Sequence, residues 1–266
     1  MDIGTAKPEK SQRERIPHHC IDIRNPDAIF SAGEYGILAR SIVEEIFQRG
    51  HIPIVVGGSG LYIRALVDGI FSGNYRDPEL RKTLNQQADE KGLGTLYAQL
   101  KKCDPEAAVK IHPNDRKRIL RALEVCELSG IPISRIQSEE TRPADFEPHF
   151  WGLRWPREVL YRRIEDRVDA MIRSGLVQEV ENLKKMGFGP EHNGLDSVGY
   201  REIFHHLAGE ISLAEAVGRI KMNTRRFAKK QLIWFRRDKR IRWVDVQEPV
   251  DWCGLVQKIV DTFSHP

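Results

Sequence analysis

No stretch of this sequence approaches the roughly 18 uninterrupted apolar residues that a membrane-spanning helix requires. The opening Met1-Asp2-Ile3-Gly4-Thr5 also lacks the basic, then apolar, profile of a secretory leader. A soluble, cytoplasmic protein with no membrane partner is therefore expected. Cysteine is sparse: Cys20, Cys103, Cys126 and Cys253 form no C-x-x-C pair and no regular spacing. That argues against a zinc ribbon or a disulfide framework and predicts reduced thiols. The histidine pairs His18-His19 and His205-His206 are adjacent, not one helical turn apart, and neither has a carboxylate at a metal-motif position, so no metal-ligating residues are assigned. Charge of one sign is not in excess either, since 42 Lys and Arg against 38 Asp and Glu leave only +4, too little to name a partner. What is present is 40% hydrophobic and 30% charged residues over a length of 266, enough for an ordinary globular core and too apolar for wholesale disorder.

Residues 1–19 read as loop, and Ile21-Asp22-Ile23 as a short strand. Ser31 is a candidate N-cap for a helix in which Tyr35, Leu38, Ile42 and Ile46 recur at helical spacing until Gly50. The β-branched run Ile52-Pro53-Ile54-Val55-Val56 predicts a buried strand, ending in Gly57-Gly58-Ser59-Gly60 and passing into a helix. Helix, strand, glycine turn and helix in this order are parts of a parallel α/β sheet, in which ligands gather at the carboxyl ends of strands. From Asp77 to Glu140 there are caps and helical periods but no strand pattern: helices from Asp77-Pro78, over Thr95 to Lys102, from Asp104-Pro105, and from Asn114 to Gly130. Strand character returns at Phe150-Trp151-Gly152-Leu153 and again at Arg242 to Val246, with helices from Pro156, from Gly175 to Lys185, and from the Ser212–Glu215 capping box to about Phe235 between them. The division is thus a core over 1–76, a helical insertion over 77–140, and the core resumed over 141–266.

Two constellations can carry chemistry. The glycine turn presents backbone N–H groups and a helix N-terminus, which suits a phosphate. No Lys-Ser/Thr pair follows it and a third glycine is missing, so it is neither a Walker A loop nor a dinucleotide fingerprint. Leu61 stands where a nucleophile elbow demands glycine, which makes a serine hydrolase a weak alternative. A tight turn that merely lets helix pack on sheet is an equal reading of Gly57, Gly58 and Gly60. The second constellation is cationic: between Lys221 and Arg242 lie ten Lys and Arg, Arg225, Lys229 and Lys230 among them, opposed only by Asp238. Ile220, Phe227 and Trp234 at seven-residue intervals are expected to pack inward beneath this ridge. Such a surface suits nucleic acid, the alternative being a solvated helix face. Arg116, Lys117, Arg118 and Arg121 form another cluster in the helical insertion, and Arg163 and Arg167 are candidates to face a ligand cleft. Two separated clusters fit a large polyanion better than a small phosphate ester.

With these residues in place, the chain resembles the bacterial tRNA dimethylallyltransferases, also called tRNA isopentenyltransferases. The resemblance rests on MDIGTAKP at Met1 to Pro8, Val56 to Tyr62, Asn114 to Glu124, Arg163 to Met171, Gly175-Leu176, Gly199-Tyr200-Arg201-Glu202, and Thr224 to Arg236. It implies a P-loop-NTPase-like parallel-sheet core with an all-helical insertion domain, Mg²⁺, and a monomer. It also implies transfer of a dimethylallyl group from dimethylallyl diphosphate to N6 of the adenine 3′ to the anticodon of tRNA, after that base is flipped inward. By matched position, Ser59 stands where the family usually has threonine, beside the adenine and the prenyl diphosphate, with Gly57, Gly58 and Gly60 around it. Arg167 matches an arginine that neutralises the departing diphosphate. Arg81, Lys117, Arg118 and Arg121 match tRNA-contacting positions, and Arg225, Lys229 and Lys230 add phosphate contacts.

One departure goes with the resemblance. Family members begin about one β-α-β unit earlier, some thirty or more residues, and that unit holds a G-x-x-x-x-G-K-[ST] loop and an Asp-Ser pair whose aspartate is the general base. The expectation is a chain whose first β-α-β unit is missing, weak or inactive alone, with a neighbouring strand left unpaired and its apolar surface exposed. The alternatives are an RNA-binding remnant without catalysis and a P-loop small-molecule kinase relative.

Overall fold

Side-chain caps set five of the helix starts in the computed structural model, which describes residues 1–264 apart from Ser72 and Asn74. The Gln12 side chain accepts from the Glu9 N–H at 3.0 Å at the start of α1 (Lys10–Arg15), inside the stretch expected to be loop. Ser31 accepts from the Glu34 N–H at 3.2 Å and opens α2 (Ala32–Gln48), and α3 (Gly60–Val67) starts directly from the glycine turn. Asp77 caps α4 (Pro78–Glu90), which is followed by α5 (Leu93–Cys103). Asp104 caps α6 (Pro105–Lys110), and α7 (Arg116–Ser129) is capped by Asp115 instead of the expected Asn114 and stopped by Gly130 at φ +68°. Then come α8 (Ile133–Glu140), strand β1 (Phe150–Arg154), α9 (Arg157–Arg173), α10 (Leu176–Lys185) and α11 (Tyr200–Leu207). Ser212 caps α12 (Leu213–Phe235), which leads to β2 (Ile241–Asp245) and α13 (Trp252–Ser264).

The two strands pair in parallel, from Phe150 opposite Ile241 to Arg154 opposite Asp245. A parallel pair needs a crossover, and α9 to α12 supply it. The other two expected strands do not form. Cys20 and Asp22 have φ of +61° and +57°, a left-handed conformation that no strand accommodates. The run from Ile52 to Val56 has no strand beside it among the described residues, and Ile54 and Val56 are 84% and 89% exposed. β-branched sequence alone does not make a strand, because the backbone polar groups need a ladder partner.

The chain forms two compact units. One comprises Met1–Phe30, Ile54–Gly60 and Glu147–Pro266, the other Ser31–Pro53 and Leu61–Phe146. These boundaries differ from the 1–76, 77–140 and 141–266 read from sequence, because α2 and α3 join the insertion helices. Gly36 lets the backbone of α2 approach Ala65, and Arg40 donates to the carbonyls of Leu66 at 2.7 Å and Arg142 at 2.8 Å. The insertion helices keep a core of their own around Leu84, Leu96, Leu100, Ile119, Leu123 and Val125. The sheet-bearing unit buries Val168, Leu176, Val180, Leu195, Tyr200, Ile203 and Ile220. Its first residues are strapped down: the Glu179 carboxylate accepts from the N–H groups of Asp2, Ile3 and Gly4 and from the Tyr200 hydroxyl at 3.0 Å. Burial first, and then the Glu179 charge, push the Tyr200 phenol well above its usual pKa.

Candidate functional site

In the sheet-bearing unit the glycine turn meets the C-terminal part of α12. Gly58 and Gly60 are half-buried whereas Gly57 and Ser59 are exposed. A methyl on Gly58 would overlap the Gln231 carboxamide, with Cδ at 2.8 Å, and one on Gly60 would overlap the Trp234 indole, with Cε2 at 2.6 Å. The rigid indole therefore calls for glycine at Gly60, whereas the flexible Gln231 side chain can give way to a methyl at Gly58. Around Gly57 a methyl would meet nothing within 4 Å, so Gly57 and Ser59 are the open members of the turn.

Further up, α12 is zipped to α9. Lys221 Nζ lies 2.7 Å from the Asp169 carboxylate, and Arg225 pairs with Glu165 and stacks over Tyr161 at 5.7 Å. Two carboxylates one turn apart on α9 thus meet two cations one turn apart on α12. Arg225, expected on the RNA-facing ridge, is half-buried and consumed by this zipper. Arg163 is occupied too, over Trp155 at 4.4 Å and 3.8 Å from Glu248. Arg167, on the same face of α9, is exposed and has no hydrogen-bond, ion-pair or ring partner among the described residues. Lys229 and Lys230 are likewise exposed and unpaired. The inward packing expected of all three heptad-spaced apolar residues holds only for Ile220, since Phe227 is 50% and Trp234 40% exposed. The first turns of α12 pack on α9 and α11, and beyond Arg225 the helix leaves that core. Exposed rings therefore alternate with unspent cations along its second half, the composition that base stacking and phosphate contact call for.

In the helical unit the cations are arranged differently. Glu124 is buried, with 3% exposure. It accepts from Arg81 at 2.8 Å and from Arg121 at 3.0 Å, while Arg121 also donates to the Tyr75 carbonyl and lies over Phe71. Arg116 is tied to Asp89 at 2.6 Å and to Asn85 at 3.0 Å, and Arg118 is 3.4 Å from Asp115. Only Lys117 of this group is exposed without a partner among the described residues.

Sequence reasoning missed Glu124, Gln231, Trp234 and Glu179 as organising residues. Glu124 could have been suspected from its place one turn after Arg121 on the same helix. Gln231 and Trp234 fall in the matched Thr224 to Arg236 stretch and Trp234 in the heptad spacing, but their partners in the glycine turn, like those of Glu179, lie far away in the chain. No three His, Cys, Asp or Glu side chains gather among the described residues.

The sequence profile described as IPP transferase matches residues 1–238. A tRNA dimethylallyltransferase of Desulforudis audaxviator is 47% identical over 265 residues, covering 100% of this chain and 86% of that protein. One of Syntrophobacter fumaroxidans is 48% identical, covering 98% and 75%. Among solved structures, the tRNA isopentenylpyrophosphate transferase of Bacillus halodurans aligns with a TM-score of 0.71 at 36% identity, over 99% of this chain and 82% of that one. A eukaryotic dimethylallyltransferase acting on tRNA aligns at 0.80 and 28%, over 97% and 67%. The chain belongs to the IPP transferase family. The helix-rich fold with a small parallel sheet is the one those structures share, and these relatives do not favour the kinase or hydrolase readings.

Proposed function

We propose that this protein transfers a dimethylallyl group from dimethylallyl diphosphate to N6 of the adenine 3′ to the anticodon in tRNA. The observation that carries this is the set of unspent groups in the sheet-bearing unit: Arg167, Lys229 and Lys230 are exposed and unpaired while their neighbours are consumed by carboxylates. In the transfer, the amino nitrogen forms a bond to the first carbon of the prenyl group as the bond from that carbon to the diphosphate oxygen breaks. The nitrogen passes its proton to water, and negative charge accumulates on the leaving diphosphate. A free guanidinium at Arg167 stabilises that charge in the transition state. The Ser59 hydroxyl, on the exposed side of its turn, holds the amine next to the diphosphate. Lys229, Lys230 and Lys117 take phosphates of the RNA, while Arg81 and Arg121 support the fold around Glu124 as much as they meet RNA. The protein works as a cytoplasmic monomer in this reading. The test incubates the 266-residue chain, alone and joined to the leading β-α-β unit of a family relative, with tRNA and labelled dimethylallyl diphosphate. Label on one adenosine in either form supports the proposal, and tRNA binding with no transfer in both replaces it with the RNA-binding remnant.

A further inference from the structure

The turn from Gly57 to Gly60 alternates between exposed and covered residues, and one helix covers it. Gln231 sits against Gly58 and Trp234 against Gly60, so a pair three residues apart on α12 matches two glycines two residues apart in the turn. Ser59 lies between them and is left exposed. Neither the Gln231 carboxamide nor the Trp234 indole N–H has a hydrogen-bond partner among the described residues, so what they supply to the turn is contact. We infer that Gln231 and Trp234 are positioning residues that clasp Gly58 and Gly60 and thereby set the direction in which Ser59 is presented. This rests on the reading of Ser59 as the hydroxyl beside the reacting amine. Because the clasp lies on the helix that carries Lys229 and Lys230, RNA seated on those lysines also steadies the turn.

The experiment compares Gln231→Ala, Trp234→Ala, Gly60→Ala and the double variant Gly60→Ala/Trp234→Ala, by transfer kinetics and by amide hydrogen exchange. Each single variant should lower kcat about tenfold or more, since small misplacements are costly, with the KM for tRNA within about twofold. Exchange at 57–61 should quicken by about tenfold in Gln231→Ala and Trp234→Ala, as contact is lost there, with 216–224 unchanged. The double variant should lose no more than Gly60→Ala alone, because both act on one contact. A raised KM with unchanged kcat would make Gln231 and Trp234 simple RNA contacts and overturn the inference, as would unaltered exchange at 57–61. Should the chain transfer nothing even when joined to the leading β-α-β unit of a family relative, the reading of Ser59 fails, and the exchange measurements still decide whether the clasp exists.

Discussion

The two compact units spend their arginines and lysines to different degrees. In the helical unit Arg81, Arg116 and Arg121 are spent on Glu124, Asp89 and nearby carbonyls, so much of that cluster is a frame. In the sheet-bearing unit Lys221 and Arg225 are spent in the same manner, but Arg167, Lys229 and Lys230 are not. A run of positive residues is a binding surface only where no carboxylate has already taken it. Sequence shows the run, and geometry shows what remains of it.

The largest expected break in this contrast is Glu124→Ala. It strands two arginines and should cost about 3 kcal/mol of stability, the low end for a severed pair because both guanidinium groups reach solvent. Lys117→Ala should shift stability by less than about 0.5 kcal/mol, and chemical denaturation of both variants measures the difference. Next, Arg167→Ala should slow turnover about 100-fold, as loss of a charge-stabilising donor does, while tRNA affinity stays within twofold. A pure affinity defect would move Arg167 to the RNA-contacting set. Third, replacing both Lys229 and Lys230 with alanine should reduce the slope of log affinity against log salt by about 1.4 to 1.8, whereas Arg225→Ala should leave that slope nearly unchanged. Filter binding over a salt series distinguishes them, and equal slopes would erase the distinction between spent and unspent cations.

The smallest effect concerns the N-terminal strap. The Lys7 ammonium beside Asp2 holds that carboxyl below its usual 3.8. A lowered folded value contributes stability above the unfolded one, which is lost as pH falls through and below it. The gap in melting temperature between the unmutated chain and Lys7→Ala should therefore be constant above about pH 5 and close below about pH 4.

Legibility followed the range of the interactions. Ser31, Asp77, Asp104 and Ser212 announced their helices because a cap acts within three residues. Strands were less legible: Phe150 to Leu153 found a partner in Ile241 to Val244, and Ile52 to Val56, just as β-branched, found none. On α12 the seven-residue spacing located a face correctly for Ile220 and misjudged Phe227 and Trp234, since periodicity says where an apolar face points but not where its cover ends. The same limit applied to charge, with Arg225 and Lys229 indistinguishable in sequence until Glu165 claimed the first.

By itself, then, the order of residues determined most of the helices, the glycine turn, the positions of the cations and the family to which they belong, because each of these is written in local spacing or in matched motifs. Tertiary structure alone decided which cations are free, why a side chain at Gly60 would collide with the Trp234 indole, and which β-branched run becomes a strand. Those outcomes depend on pairs far apart in the chain, and a pairing energy has no value until folding brings both partners together.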